Sequence, residues 1–155
     1  SAVNQATDYF LEGEYEKAVE VSSEVIRMYP EDYVGYHLRG LAYSRLNRYE
    51  SAIDDYDKAL QLDPLNPPTI YNARAVNQRD LGRYELAIQD FNMVIKLNPK
   101  GDTNLATAYY GRGTVYWGLA RFDEAERDIQ KAIELGFDQN LESLLQQIKE
   151  RKAGR

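Results

Sequence analysis

The side chains able to do chemistry in this 155-residue chain are few and poorly arranged for it. There is one histidine, His37, and no cysteine. Ser–His and Cys–His nucleophile pairs, thiolate sites and multi-histidine metal centres therefore lack their bases or ligands. Carboxylates are abundant, with Asp54, Asp55 and Asp57 the densest group. On a helix those three diverge, and no glycine-rich calcium loop surrounds them, so they read as a solvated face rather than a metal or acid–base site. No phosphate-binding loop or dinucleotide fingerprint follows a strand-like run. The expectation is a chain that is not an enzyme, with no catalytic residue, no cofactor and no metal.

A more regular pattern is Arg39, Arg74 and Arg112, each immediately before a small residue, Gly40, Ala75 or Gly113. Such a ladder could hold an acidic ligand. Against that, Asp55, Asp90 and Asp128 follow these arginines at a constant spacing of 16 residues, while the equivalent places near the start hold Gln5 and Val21. Joint presence and joint absence predict structural pairs, Arg39 with Asp55, Arg74 with Asp90 and Arg112 with Asp128.

The elements that must position these residues repeat along the chain. Gly13-Glu14-Tyr15-Glu16-Lys17-Ala18 recurs around Tyr49, Tyr84 and Phe122, at steps of 34, 35 and 38 residues. Val25 and Ile26 with Pro30, Ala59 and Leu60 with Pro64, and Val94 and Ile95 with Pro99 follow, whereas the fourth copy has Phe137 at the proline place. Tyr36, Gly40 and Tyr43 before the turn at Asn47, and Ile53, Tyr56 and Leu60 after it, have helical spacing. Each copy thus predicts two helices, with Tyr36, Gly40 and Tyr43 in the core. A glycine inside a helix costs about 1 kcal/mol relative to alanine, so Gly40 and Gly113 imply close approach by Ala52 and Ala125 of the second helix. Asp102-Thr103-Asn104-Leu105 is inserted before the fourth copy and predicts about one extra helical turn, N-capped by Asp102 or Thr103. Leu141, Leu144, Leu145 and Ile148 mark the apolar stripe of a last helix, the cap that an open-ended stack requires.

A formal charge of -6 and a pI near 4.9 disfavour nucleic acid and anionic membrane surfaces as partners. The one basic cluster, Lys149, Arg151, Lys152 and Arg155, reads as a solvated helix end. No run approaches the roughly 20 apolar residues of a membrane span. Compartment is not encoded: cytoplasmic is the default, and a cleaved export signal leaves no trace.

The small residue, Tyr, Gly-x-Tyr, Ala, aromatic, Ala or Val and Pro at fixed offsets resemble the tetratricopeptide repeat. The resemblance implies an all-α, right-handed α-solenoid of antiparallel helix pairs. It gives a single repeat domain over residues 1–155, with repeats at about 1–32, 33–67, 68–101 and 102–138 and a capping helix at about 139–152. It also implies that the first helices line a concave groove that binds an extended peptide or a partner helix. With the core positions removed, the candidate groove residues are Phe10, His37, Leu41, Arg45, Asn72, Val76, Arg79, Tyr110, Thr114 and Trp117. Gly111 and Leu11 lie on the same stripes. Tyr110 and Trp117 are expected as binding anchors, and His37 as a hydrogen-bonding wall rather than a pH switch.

In chaperone adaptors of that family a Lys/Asn, Asn, Lys/Arg clamp grips a terminal carboxylate. The matching places hold Val3 and Thr7, Leu38, then Thr69 and Ala73. The expected partner is therefore another protein or peptide, apolar or aromatic in character, rather than a chaperone carboxylate tail. The other reading is a structural subunit of a larger or self-associated assembly, using its ends or convex face.

Overall fold

The computed structural model describes residues 1–63, 68–97, 103–137 and 140–154. Among these residues the chain forms nine helices and no strand. Eight make four antiparallel pairs: α1 (Ala2–Leu11) with α2 (Tyr15–Met28), α3 (Tyr33–Arg45) with α4 (Tyr49–Leu62), α5 (Pro68–Asp80) with α6 (Tyr84–Leu97), and α7 (Thr103–Gly118) with α8 (Phe122–Glu134). The ninth, α9 (Glu142–Ala153), packs on α8.

Local chemistry sets the ends of these helices. Ser1 and Asp32 cap α1 and α3 by accepting from the amides of Asn4 and Val34 at 3.3 and 2.9 Å. Each turn inside a pair is a Schellman closure. The amides of Glu14, Arg48, Arg83 and Arg121 donate to the carbonyls of Tyr9, Tyr43, Gln78 and Tyr116 at 2.8 to 2.9 Å. The pivot residue has φ of 80° at Gly13, 59° at Asn47, 76° at Gly82 and 56° at Ala120. Glycine and asparagine adopt that conformation readily, whereas Ala120 carries strain of about 1 kcal/mol.

The second helices α2, α4 and α6 stop two residues before Pro30, Pro64 and Pro99; Pro64 and Pro99 themselves lie outside the described residues. The fourth copy substitutes a different stop. Gly136, at φ 76°, lets the Phe137 amide donate to the Ala132 carbonyl at 3.0 Å. The inserted segment lengthens α7 to 16 residues against 13 for α3 and α5. Thr103 is the first residue of α7, and Asp102 lies outside the described residues.

Ala18, Ala52, Ala87 and Ala125 are all but fully buried, while Tyr36 and Tyr43 are half-buried against the core. The close approach at the small residues involves different partners from those expected. A Cβ on Gly40 would lie 2.7 Å from Cε1 of Tyr56, and one on Gly113 2.9 Å from Cδ1 of Ile129. The groups nesting there come from one turn beyond Ala52 and Ala125.

Stacking of the pairs makes the right-handed α-solenoid. α1 touches α3, α3 touches α5 and α5 touches α7, whereas α2, α4, α6 and α8 make no comparable contact with one another. A stack whose first helices are closer together than its second helices must curve with the first helices inside. At its end Leu141, Leu145 and Ile148 of the α9 segment bury themselves against Ala125, Ile129 and Ala132.

Candidate functional site

Registering the four pairs on Tyr15, Tyr49, Tyr84 and Phe122 sorts the stripe into rows that run from one first helix to the next. One row is Val3, His37, Asn72 and Tyr110; the next is Thr7, Leu41, Val76 and Thr114; the last is Phe10, Ser44, Arg79 and Trp117. Most are half-buried. Leu41 and Val76 are half-buried apolar side chains in the middle row, and Val76 packs against the core. Arg45 is exposed at the last turn of α3.

Several of the candidates are committed to the protein itself. Asn72 is 6% exposed, and its Nδ2 donates to the Asn104 carbonyl at 3.0 Å, so it faces inward. Arg79 donates from Nε to Oδ1 of its neighbour Asp80 at 3.1 Å and is neutralised. Thr114 donates its hydroxyl to the Gly111 carbonyl at 2.7 Å within its own helix. Gly111 is not on the open stripe: it is buried, and a Cβ there would collide with the Phe91 ring of α6.

The aromatic candidates are also partly engaged. Phe10 packs on Tyr15 with ring centroids 5.5 Å apart, and Trp117 on Phe122 at 5.4 Å, each across its own turn. Tyr110 stacks on Phe137 at 4.6 Å and an interplanar angle of 24°. The sequence showed Phe137 only as the residue at the proline place; its packing on Tyr110 carried no signal there. Tyr110 and Trp117 thereby belong to the small core built with α8 and α9. His37 lies 6.4 Å from the Tyr56 ring, and burial pushes its pKa down to about 4, so at neutral pH it is an uncharged wall.

The arginine ladder is paired as expected and reaches further than expected. Arg39 donates from Nε and Nη2 to Asp55 at 2.8 Å each. Arg74 does so to Asp90 at 2.8 and 2.6 Å, and Arg112 to Asp128 at 2.7 and 2.8 Å. All three carboxylates are 5% exposed. Burial raises the pKa of Asp55 and Asp90, with the arginines pulling the other way. In each case the remaining Nη1 crosses to the second helix of the preceding pair. Arg39 reaches Ser23 at 3.1 Å, Arg74 reaches Asp57 at 2.6 Å and Arg112 reaches Asn92 at 2.5 Å. Each guanidinium thus ties three helices together, which removes the ladder from ligand binding.

A second ladder runs along the exposed side. Arg48 pairs with Glu16 of the preceding repeat at 2.6 Å, and Arg83 with Glu50 at 2.5 Å. Its signal was visible as Arg-Tyr-Glu recurring at the turns. Lys152 of α9 joins the series by meeting Asp123 and Glu126 at 2.8 Å each, so the C-terminal basic cluster is only partly a solvated end. Apart from the inner face, a hollow of about 450 Å³ lies between the α2–α3 connection and the end of α4, lined by residues including Tyr29, Asp32 and Asp63. It is acidic and open and shares no residue with the stripe.

A tetratricopeptide repeat family model matches residues 33–66, and a second matches residues 67–136. Serine/threonine-protein phosphatase 5 of Homo sapiens is 36% identical over 73 residues, which is 47% of this chain and 15% of the enzyme. The chain therefore spans only a small part of that relative's length. Among solved structures, MamA from residue 41 onward of Desulfovibrio magneticus RS-1 superposes with a TM-score of 0.85 at 24% identity, covering 98% of this chain and 84% of that one. That is a likeness of fold. The first repeat domain of Spaghetti (RPAP3), bound to the HSP90 peptide SRMEEVD, has a TM-score of 0.72 at 27% identity over 79% of this chain and 94% of its own.

Proposed function

Since the chain belongs to the tetratricopeptide repeat family and is built as a protein-interaction scaffold, we propose that it holds an extended peptide or partner helix against the inner face of α1, α3, α5 and α7. The observation carrying this reading is that Leu41 and Val76, in register on α3 and α5, are half-buried apolar side chains that the arginine staples and turn aromatics do not use; the proposal takes them as an apolar floor. Such a floor gains from being covered by an apolar ligand. RPAP3 binds an acidic chaperone peptide. Here Val3, Thr7, Leu38, Thr69 and Ala73 occupy the clamp positions, and none is a cation, so a terminal-carboxylate grip is not part of the proposal. No catalytic role is proposed either, because the chemistry-bearing residues are spent on staples and turns.

The test is capture of partners by the native chain beside two variants of unchanged helicity. Leu41→Glu/Val76→Glu places charge on the inner floor, and Leu86→Glu alters α6, where Leu86 is 46% exposed. Loss of partners in the first variant alone supports the reading. Partners kept by the first and lost by the second point instead to assembly through the outer face, for which exposed Leu86 and Tyr84 on α6 are the candidates. A concentration-independent oligomer in solution would favour that second reading.

A further inference from the structure

We propose that Arg45, Phe10 and Leu11 form a subsite for a peptide segment in which a carboxylate side chain adjoins an apolar one. The proposal rests on the inner-face reading above and narrows it to the α1–α3 end.

The arginines of the first helices divide sharply by what they hold. Arg39, Arg74 and Arg112 are locked onto buried aspartates, and Arg79 onto Asp80. Arg45 alone among them makes no ion pair among the described residues, and it is exposed. The C-terminal end of α3 is a favourable place for a cation. That preference does not explain where the guanidinium sits: its Cζ lies over the Phe10 ring, 5.5 Å from the centroid. Attraction to the ring face fixes the position of the group while leaving most of its N–H donors available for a carboxylate, which matches them two by two.

Apolar surface adjoins this cation. Leu11 is 76% exposed, the most open of the large apolar side chains among the described residues. With the 34-residue step from Tyr15 to Tyr49, Leu11 and Arg45 hold the same place in the first and second repeats, so they are neighbours along one row. Leu41 lies one turn before Arg45 and Phe10 just before Leu11, both half-buried. Further along the row stand Asp80 and Gly118, so the positive charge belongs to this end only. The acidic groups nearest Leu11 in sequence, Asp8 of α1 and Glu12 just after it, are exposed and form no ion pair with Arg45. A chain of charge -6 repels acidic ligands in general, so any preference for a carboxylate must come from this local cation.

The probes are three acetylated and amidated hexapeptides, Gly-Leu-Phe-X-Leu-Gly with X as Glu, Gln or Lys, titrated into the full chain and followed by backbone amide shifts. The Glu peptide is expected to bind about fivefold tighter than the Gln peptide, the size of a well-placed but solvent-exposed ion pair. The largest shifts should fall at Phe10, Leu11, Leu41 and Arg45. Arg45→Gln should abolish the difference, Arg45→Lys should keep part of it, and about 0.5 M salt should shrink it by screening. Equal binding of the Glu and Gln peptides with shifts on the inner face overturns the subsite and leaves the inner-face reading standing. Shifts confined to α2, α4 and α6, or no binding of any peptide at about 1 mM, a free energy of only about 4 kcal/mol, overturn both.

Discussion

Asp90→Asn is the sharpest probe of how the stack is held. Asp90 is 5% exposed and accepts two bonds from Arg74, at 2.8 and 2.6 Å. Breaking a buried pair by removing one partner costs about 3 to 5 kcal/mol. Two features reduce that here. The Arg74 side chain keeps 22% exposure and its bond to Asp57 at 2.6 Å. Burial also holds the carboxylate's pKa above its ordinary range despite Arg74, so the neutral amide is relieved of a desolvation cost as it loses the attraction. The expected loss is about 2 to 3 kcal/mol, or roughly 5 to 10 °C in Tm. Asp57→Asn removes only the contact between pairs, at a side chain 48% exposed, and should cost under about 1 kcal/mol. Urea unfolding followed by helicity measures both. If Asp90→Asn stays within about 0.5 kcal/mol of the native chain, the typical range for a surface change, or if Asp57→Asn costs as much, the three-helix staple does not carry the stability assigned to it.

Three further outcomes follow from the same packing. Gly111→Ala forces a methyl group into the Phe91 ring; overpacking of about 2 to 3 kcal/mol exceeds the roughly 1 kcal/mol gained in helix propensity, so thermal melts should show net destabilisation. Gly118→Ala, which meets nothing within 4 Å, should be neutral or slightly stabilising in the same melts. His37 has its folded pKa pushed down to about 4 by burial, against about 6.5 unfolded. Its contribution is therefore complete above about pH 6.5 and lost as pH falls toward 4, by about 2 kcal/mol once its partial exposure is allowed for. The difference in unfolding free energy between native chain and His37→Gln, measured from pH 7 to pH 4, should show that slope; a constant difference across the range would contradict it.

What the sequence by itself determined was most of what recurs within one repeat, the residues nesting against Gly40 and Gly113 excepted. The aromatic that opens each second helix, the glycine or asparagine at three of the four turns and the Arg–Asp pairs at constant spacing all report on two helices joined by one short turn. Their geometry is local, and the helical period carries it. The shared absence at Gln5 and Val21 was enough to assign the arginines to structure rather than to ligand.

Only the tertiary structure decided what each helix meets in the next repeat. The third contacts of the staples fall on Ser23, Asp57 and Asn92, residue types with no common pattern. Asn72 turns to Asn104, Gly111 makes room for Phe91, and Phe137 covers Tyr110. Helical periodicity says which side of a helix is apolar. It does not say how far one pair rotates on the next, and that rotation chooses which residues are covered. The same rotation puts Arg45 over Phe10 and leaves it without a carboxylate among the described residues.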